Sequence, residues 1–137
     1  MSKSTIFKNL LEQNNIYMEE NRDEIGTFFR APQSLKSGGN VLVVVSFSNQ
    51  ESIVDISIFN IAQIENPLKK EELNKLINEL NKDYRYAKFI ESDNSVIAQY
   101  SYDVREHFNP GLVLDHVALL LNVVDDAYPK FMKLQWA

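Results

Sequence analysis

The sequence predicts an α+β domain in which a single antiparallel β-sheet is flanked by helices. Segments of strand length, in which apolar residues alternate with polar ones or form an unbroken run, lie between segments with helical periodicity. The resulting order of elements is α-β-β-β-β-α-β-β-α. Strands that follow each other without an intervening helix pair as antiparallel neighbours. The chain has 137 residues, of which 45% are hydrophobic and 24% are charged. This size and composition are typical of one globular domain, which we assign to residues 1–137.

The first half of the chain predicts one helix and four strands. The helix begins near Ser4, has its apolar residues at helical spacing, and ends near Asn14; these residues are Ile6, Phe7, Leu10 and Leu11. The strands are predicted at residues 16–20, 25–31, 41–47 and 53–60, and the last strand can extend to residue 64. The third of them is apolar on both faces, which predicts an interior strand that is covered on both sides.

The second half predicts a helix, a hairpin and a long final helix. An amphipathic helix over residues 68–83 is followed by strands over residues 86–91 and 95–103. Asn109 caps the final helix, and Pro110 takes its first position, where the missing N–H costs nothing. Pro129 is expected to kink or end this helix near Tyr128.

Composition and charge exclude several classes of partner. The formal net charge is −5 and no basic cluster is present, so we expect no nucleic-acid partner. The chain contains no cysteine, which excludes zinc–thiolate sites and thiol nucleophiles and suits a reducing cytoplasm. The apolar runs are far shorter than the roughly 20 residues that span a bilayer, so we expect no membrane insertion. A cytoplasmic location is expected.

No residue pattern predicts catalysis or metal binding. His116 lies inside the final helix and is interpreted as a packed or interface residue, whereas His107 lies in a polar turn. Neighbouring Asp115 points to a different side of the helix, so these two side chains do not form an oriented pair. Neither a His-Glu-x-x-His metal motif nor a phosphate-binding loop occurs. We therefore predict no catalytic residue, no metal and no cofactor, and an enzyme is the weakest functional hypothesis.

The final helix carries more apolar surface than one core requires. Its apolar residues cover well over half of its circumference, whereas a helix that lies on a sheet needs a stripe of about 100°. Either the helix is sandwiched inside its own domain, or its second face packs against a partner protein or a second copy. The second explanation predicts a homodimer, for which the candidate interface residues are Leu114, Val117, Leu121, Val124, Tyr128 and Trp136.

The second half of the chain resembles the YbjN-domain family. The resemblance is carried by residues 76–81 (Leu-Ile-Asn-Glu-Leu-Asn), residues 87–89 (Ala-Lys-Phe), Tyr102-Asp103, residues 125–129 (Asp-Asp-Ala-Tyr-Pro) and Leu134. Residues 3–66 match the family mainly in the order of elements. The resemblance implies a bacterial regulator of sensory transduction, with an α+β fold similar to that of the small dimeric chaperones of type III secretion.

These inferences lead to two functional hypotheses from different classes. The first is a non-enzymatic protein-binding module, chaperone-like or adaptor-like, whose sheet binds an extended or helical segment of a client polypeptide. The alternative is a regulatory domain that senses a small ligand in a pocket between the sheet and a helix. An exposed apolar groove on the sheet favours the first hypothesis, and a closed pocket with converging polar groups favours the second.

Overall fold

Strands and helices follow one another in the predicted order in the computed structural model, which describes all 137 residues. The strands are β1 (Glu19–Arg22), β2 (Gly26–Ser34), β3 (Asn40–Ser48), β4 (Ile53–Gln63), β5 (Lys88–Ser92) and β6 (Ser95–Asp103). The helices are α1 (Lys3–Gln13), α2 (Lys70–Asp83) and α3 (Pro110–Gln135). All strand pairs are antiparallel, in the spatial order β1-β2-β3-β4-β6-β5. The predicted α+β class with one antiparallel sheet is confirmed.

All three helices pack on the same side of the sheet, which we call the covered face. They share with the sheet a single hydrophobic core, whose fully buried phenylalanines are Phe7, Phe29, Phe47, Phe89 and Phe131. The Phe7 ring centroid lies 5.2 Å from that of Phe29 and 5.6 Å from that of Phe47. These aromatic contacts hold α1 against β2 and β3.

The strand β3 lies in the interior of the sheet, as predicted, but only one of its faces is covered. Its residues on the covered face are buried: Val41, Val43, Val45 and Phe47. Leu42 and Val44 point to the opposite side, which we call the open face, and they are only partly buried. The expectation that both faces of this strand are covered is therefore wrong, because no helix crosses the open face.

The first strand begins later than predicted because α1 ends in a tight turn. Asn15 adopts the left-handed conformation with a φ of 55°. The Ile16 N–H still donates to the Leu11 carbonyl at 2.9 Å, so the chain is not yet extended at residue 16. The strand β1 consequently starts at Glu19.

The N-terminus of α1 is held by two different side chains. Ser2 Oγ accepts the Thr5 N–H at 3.2 Å, so the cap lies two residues before the predicted one. Glu51, in the loop between β3 and β4, accepts the N–H groups of Lys3 at 2.7 Å and Ser4 at 3.2 Å. Burial acts to raise the pKa of Glu51, but these hydrogen bonds outweigh it and the pKa is lowered. The carboxylate that holds the helix end therefore stays charged.

The helix α3 continues through Pro129 to Gln135, so of the two expected effects of this proline, a kink or an end, the helix end does not occur. Because proline has no N–H, the Asp125 carbonyl lacks its usual donor from four residues later. The hydroxyl of Ser37, in the loop between β2 and β3, donates to the Asp125 carboxylate at 2.5 Å and lies 3.4 Å from that carbonyl. The same carboxylate accepts the Ser37 N–H at 2.9 Å. A loop that is distant in sequence thus docks on the helix one turn before the proline.

A bulge in β4 redirects the end of that strand. The pairing with β6 shifts between Ile58 and Ala62, and Asn60 has a positive φ of 67°. Simple alternation would place Ile61 on the open face beside Phe59, but Ile61 is 1% exposed and belongs to the core. The bulge therefore buries one more isoleucine and leaves Phe59 as the last apolar residue of β4 on the open face.

Both edges of the sheet are protected against further strand pairing. At the β5 edge, the Asn81 amide accepts the Phe89 N–H at 2.7 Å and donates to the Phe89 carbonyl at 3.0 Å, as a neighbouring strand would. At the other edge, β1 has only four residues, and both Glu19 and Arg22 are charged. Pro32 removes one N–H from the part of β2 that extends beyond β1.

The two asparagines of α2 provide a test of this edge protection. Asn81→Ala leaves both backbone groups of Phe89 without their partner, whereas Asn78 is exposed and makes no hydrogen bond through its side chain. Both variants gain the same helix propensity, so their difference isolates the hydrogen bonds. We expect Asn81→Ala to be less stable than Asn78→Ala by about 1–3 kcal/mol in urea unfolding. Equal stabilities would contradict the role assigned to Asn81.

Candidate functional site: the open face of the sheet

The candidate interface residues on α3 lie mostly against the chain's own core. Val124 is 0% exposed, so it is a core residue, which corrects its assignment to an interface. Four others are partly buried and pack against the core: Leu114, Val117, Leu121 and Tyr128. Trp136 is 76% exposed at the end of the helix. Contacts with α1, α2, β4 and β6 cover most of the apolar surface of α3 within the chain itself.

Accessible apolar surface on α3 is limited to a short stripe. Leu112 and Leu119 are 40% and 42% exposed and lie two helical turns apart on one side of the helix. Tyr86, in the loop before β5, lies beside this stripe, with its ring centroid 6.1 Å from that of His116. The acidic Asp115 borders the stripe and is also exposed. This stripe is a small surface on the helical side of the sheet, away from the open face described below.

His116 is packed among tyrosines of the covered face. Its ring centroid lies 4.8 Å from that of Tyr100 and 5.0 Å from that of Tyr102. The His116 Nδ1 and the Tyr102 hydroxyl oxygen are buried without a hydrogen-bond partner. Burial lowers the pKa of His116, although Asp115 acts in the opposite direction, and burial raises the pKa of Tyr102 to about 12. Both rings are thus favoured in their neutral forms, as suits packed residues.

The register of the sheet brings apolar side chains from five strands into one line on the open face. In spatial order they are Pro32, Leu42, Phe59, Ile97 and Ile90, and we call them the apolar row. The row crosses the strands and spans about 19 Å at the usual strand spacing. Ile97 is 8% exposed, Pro32 is exposed, and the other three are partly buried. None of them belongs to the core beneath the helices or packs against it.

A second line of residues runs beside the apolar row and ends in opposite charges. Its members are direct neighbours across all six strands, and we call them the polar row: Glu19, Arg30, Val44, Ser57, Gln99 and Lys88. Hydrogen bonds from Asn21 and Arg30 lower the pKa of Glu19, so this end of the row is anionic. Lys88, at the other end, forms no salt bridge within the chain. The open face thus combines apolar surface with one unpaired cation.

The main surface depressions are open grooves at the two ends of the sheet. A groove of about 270 Å³ lies at the bulge, beside Met132 and Trp136. Its amides are already bonded, because Gln135 Oε1 accepts the Gln63 N–H at 2.8 Å and Gln63 Oε1 accepts the Ser95 hydroxyl at 2.6 Å. Two depressions of about 410 Å³ at the other end of the sheet are lined mainly by polar residues. None of these is a closed pocket between the sheet and the helices.

The acidic side chains of the chain do not converge on a metal site. No group of three or more histidine, aspartate or glutamate residues is placed so that it could hold a metal ion. The adjacent Asp125 and Asp126 bind different elements, since Asp125 binds Ser37 and Asp126 accepts the Tyr84 hydroxyl. That hydrogen bond raises the pKa of Tyr84 to about 12.

None of the three helices combines the length and the apolarity that crossing a membrane requires.

The first functional hypothesis places a client segment on the sheet, whereas the candidate interface residues lie on α3 or just after it. The sequence signal for the open face is the apolar character of residues 41–47 on both faces of the strand. The apolar row itself has no signature in the sequence, because its neighbours come from five different strands. Only the register of the sheet brings Leu42 next to Phe59.

Comparisons with known proteins agree with this fold. The sequence profile of the YbjN family, described as "Putative bacterial sensory transduction regulator", matches residues 6–133. The chain is similar to the crystal structure of "YbjN, a putative transcription regulator from E. coli", with a TM-score of 0.63 and 11% sequence identity. The similarity covers 95% of this chain and 93% of that chain. No curated protein sequence matches the chain. At this identity the structural similarity supports the fold alone.

His116 should make the stability of the chain depend on pH. Its pKa in the folded state lies below the ordinary value of 6.5, so folding favours the neutral ring. This contribution to stability is complete above pH 6.5 and is lost as the pH falls through the folded-state pKa. His116→Phe removes the titration, so its urea midpoint should change less between about pH 7.5 and 5 than that of the wild type. A pH dependence in this variant equal to that of the wild type would contradict the assignment, and His107→Gln serves as the control substitution at the other histidine.

Proposed function

Because the chain belongs to the YbjN family, we propose that it is a regulatory protein that acts by binding another protein at the open face of its sheet. The observation that carries this proposal is the apolar row, which no helix covers. Its members lie on a sheet face without a covering layer and are exposed or partly buried, apart from Ile97 at 8% exposure, and contiguous apolar surface marks interaction sites on soluble proteins. The family description, a bacterial regulator of sensory transduction, supports a regulatory or adaptor role.

The geometry of the open face favours a helical segment of the partner over an extended one. An extended segment gains much of its affinity from backbone pairing at a sheet edge. Here Asn81 occupies the β5 edge, and β1 is short and charged. An apolar row of about 19 Å matches about 13 residues of α-helix, with apolar side chains at positions i, i+4, i+7 and i+11. We infer that the partner lays the apolar side of an amphipathic helix across the strands.

The polar row adds a preference for acidic side chains on that helix. Lys88 has no ion-pair partner within the chain, and Gln99 beside it forms no side-chain hydrogen bond. A carboxylate on the partner, next to its apolar positions, would therefore meet a free cation and a free amide. Such an exposed pair contributes at most about 1 kcal/mol, so it orients the helix more than it tightens binding.

A photo-cross-linking residue in place of Leu42 tests this proposal in bacterial cells that express the full chain. We expect a discrete adduct with another polypeptide, because Leu42 lies within the apolar row. The adduct should disappear when Phe59→Asp is added, since burying an unpaired carboxylate costs several kcal/mol. Circular dichroism of each variant checks that the fold is retained.

The matched control carries the same cross-linker in place of Leu119, which is exposed on α3 at a distance from the open face. We expect no adduct from this position. An adduct that forms from the Leu119 position and not from the Leu42 position would move the binding site to α3 and reject the open face.

A further inference from the structure

We propose that one end of β6 binds an extended segment of another protein as an added strand, at a site separate from the apolar row. The neighbouring strand β5 pairs only with residues 95–99 of β6, because its first paired residue is Lys88, opposite Gln99. On the other side, β4 pairs with β6 as far as Asp103. Residues 100–103 of β6 therefore have a neighbouring strand on one side only, and we call the gap on their other side the notch.

The alternation of hydrogen bonds along β6 decides which backbone groups point into the notch. A two-residue turn, Asp93 and Asn94, joins β5 to β6, and both residues have a positive φ. Ser95, the first residue after this turn, consequently directs its N–H and C=O groups toward β5. Every second residue of β6 does the same, so Ser101 and Asp103 direct their backbone groups into the notch.

These backbone groups have no partner within the chain. Residues of the opposite orientation bond toward β4, and just beyond β6 the Val104 N–H still donates to the Ser52 carbonyl at 2.9 Å. No turn, loop or side chain forms a hydrogen bond with the backbone of Ser101 or Asp103. Both residues are exposed. The notch thus presents two N–H and two C=O groups that an added strand can bind.

The features that protect the outer edges of the sheet do not reach the notch. The Asn81 amide binds Phe89, which lies within β5. The part of β2 that extends beyond β1 contains Pro32, whereas residues 100–103 have the sequence Tyr-Ser-Tyr-Asp. They contain no proline, no lysine and no bulge. An unprotected strand of this kind pairs readily with a further strand.

Tyrosines line the helical side of the notch. Tyr100 and Tyr102 point to this side and are partly buried, with their ring centroids 5.7 Å apart. Tyr86 is 48% exposed, and its ring meets that of Tyr100 edge-on, with the centroids 5.7 Å apart. A residue of the added strand that lies opposite Tyr102 belongs to a pair without hydrogen bonds, in which side chains approach closely. An aromatic or β-branched side chain at that position would pack on the Tyr102 ring.

The opposite side of the notch is acidic. The Ser101 hydroxyl donates to the Asp55 carboxylate on this side. Hydrogen bonds from Arg105 lower the pKa of Asp103, so the Asp103 carboxylate is charged. Arg105 is already bound to Asp103 at 2.7 Å, which leaves no free cation here. A depression of about 410 Å³, which these residues line together with Ile53, gives room for basic or hydroxyl side chains of the added strand.

The notch therefore fits an extended segment in which apolar residues alternate with basic or hydroxyl residues. Residues 100–103 span about 13 Å at the rise of a strand, which is the length of about four residues. An antiparallel segment would exchange two backbone hydrogen bonds with Ser101 and two with Asp103. These bonds supply affinity, and the alternating side chains supply specificity. This segment is distinct from the helix that the proposed function places on the open face.

Hydrogen exchange at single amides, followed by NMR on the full chain, is the first test. In the free chain the amides of Ser101 and Asp103 should exchange rapidly, whereas those of Tyr100 and Tyr102 bond to β4 and should be protected. The probe is the peptide acetyl-Thr-Lys-Val-Lys-Val-Lys-Thr-amide, which has the required alternation. At about 2 mM it should slow exchange of the two exposed amides about threefold, as a Kd of about 1 mM implies.

Two outcomes of this experiment overturn the inference. Protection of the Ser101 and Asp103 amides in the peptide-free chain would mean that another segment or another copy already fills the notch. Exchange that the peptide does not change would mean that the notch does not accept a strand.

N-methylated peptides test whether the contact is backbone pairing. The lysine residues of the probe lie opposite Ser101 and Asp103, so their N–H groups face β6, whereas the valine N–H groups face away. Methylation of the lysine amides should abolish the slowed exchange, and methylation of the valine amides, the matched control, should preserve it. Equal effects of the two peptides overturn strand addition.

Two substitutions at one position test the same bonds from the side of the protein. Ser101→Pro removes the N–H in the notch and leaves the hydrogen bonds between β6 and β4, because this N–H points away from β4. The peptide should then no longer slow exchange at Asp103. Ser101→Ala keeps the N–H and should respond as the wild type does, and circular dichroism checks both folds. Equal responses of the two variants overturn the inference; if Ser101→Pro does not fold, the methylated peptides decide.

Discussion

The hydrophobic contact between the helices and one face of the sheet is the interaction on which the other features depend. Along α3, the side chains that enter this contact and are 0% exposed are Val113, Leu120, Val124, Ala127 and Phe131. Full burial of a large apolar side chain stabilises the fold by about 1.5–3 kcal/mol, so packing on this face stabilises every helix. Since all three helices lie there, none is left to cover the other side. The open face follows directly from this distribution.

Polar side chains from distant segments hold the margins of this arrangement in place. Glu51 holds the start of α1, Ser37 binds the Asp125 carboxylate one turn before Pro129, and Asn81 occupies the outer edge of β5. Glu51 and Asn81 satisfy backbone groups that regular secondary structure leaves without a partner. The open face consequently consists of six strands of fixed register. Both outer edges of this sheet are protected against pairing with a further strand.

The sequence by itself determined the order of the elements, the α+β class and the interior position of β3, because these depend on local periodicity, capping residues and short connections. Tertiary structure alone decided the contacts around Pro129, since Ser37, which binds Asp125 one turn before this proline, lies 88 residues earlier in the chain. It also decided which apolar residues are accessible. Val124 and Leu42 both lie within apolar runs, yet Val124 is buried under the helices whereas Leu42 lies on the open face. The apolar row forms only because the register of five strands aligns its residues. The local sequence does not predict that register, because the paired residues lie far apart in the chain.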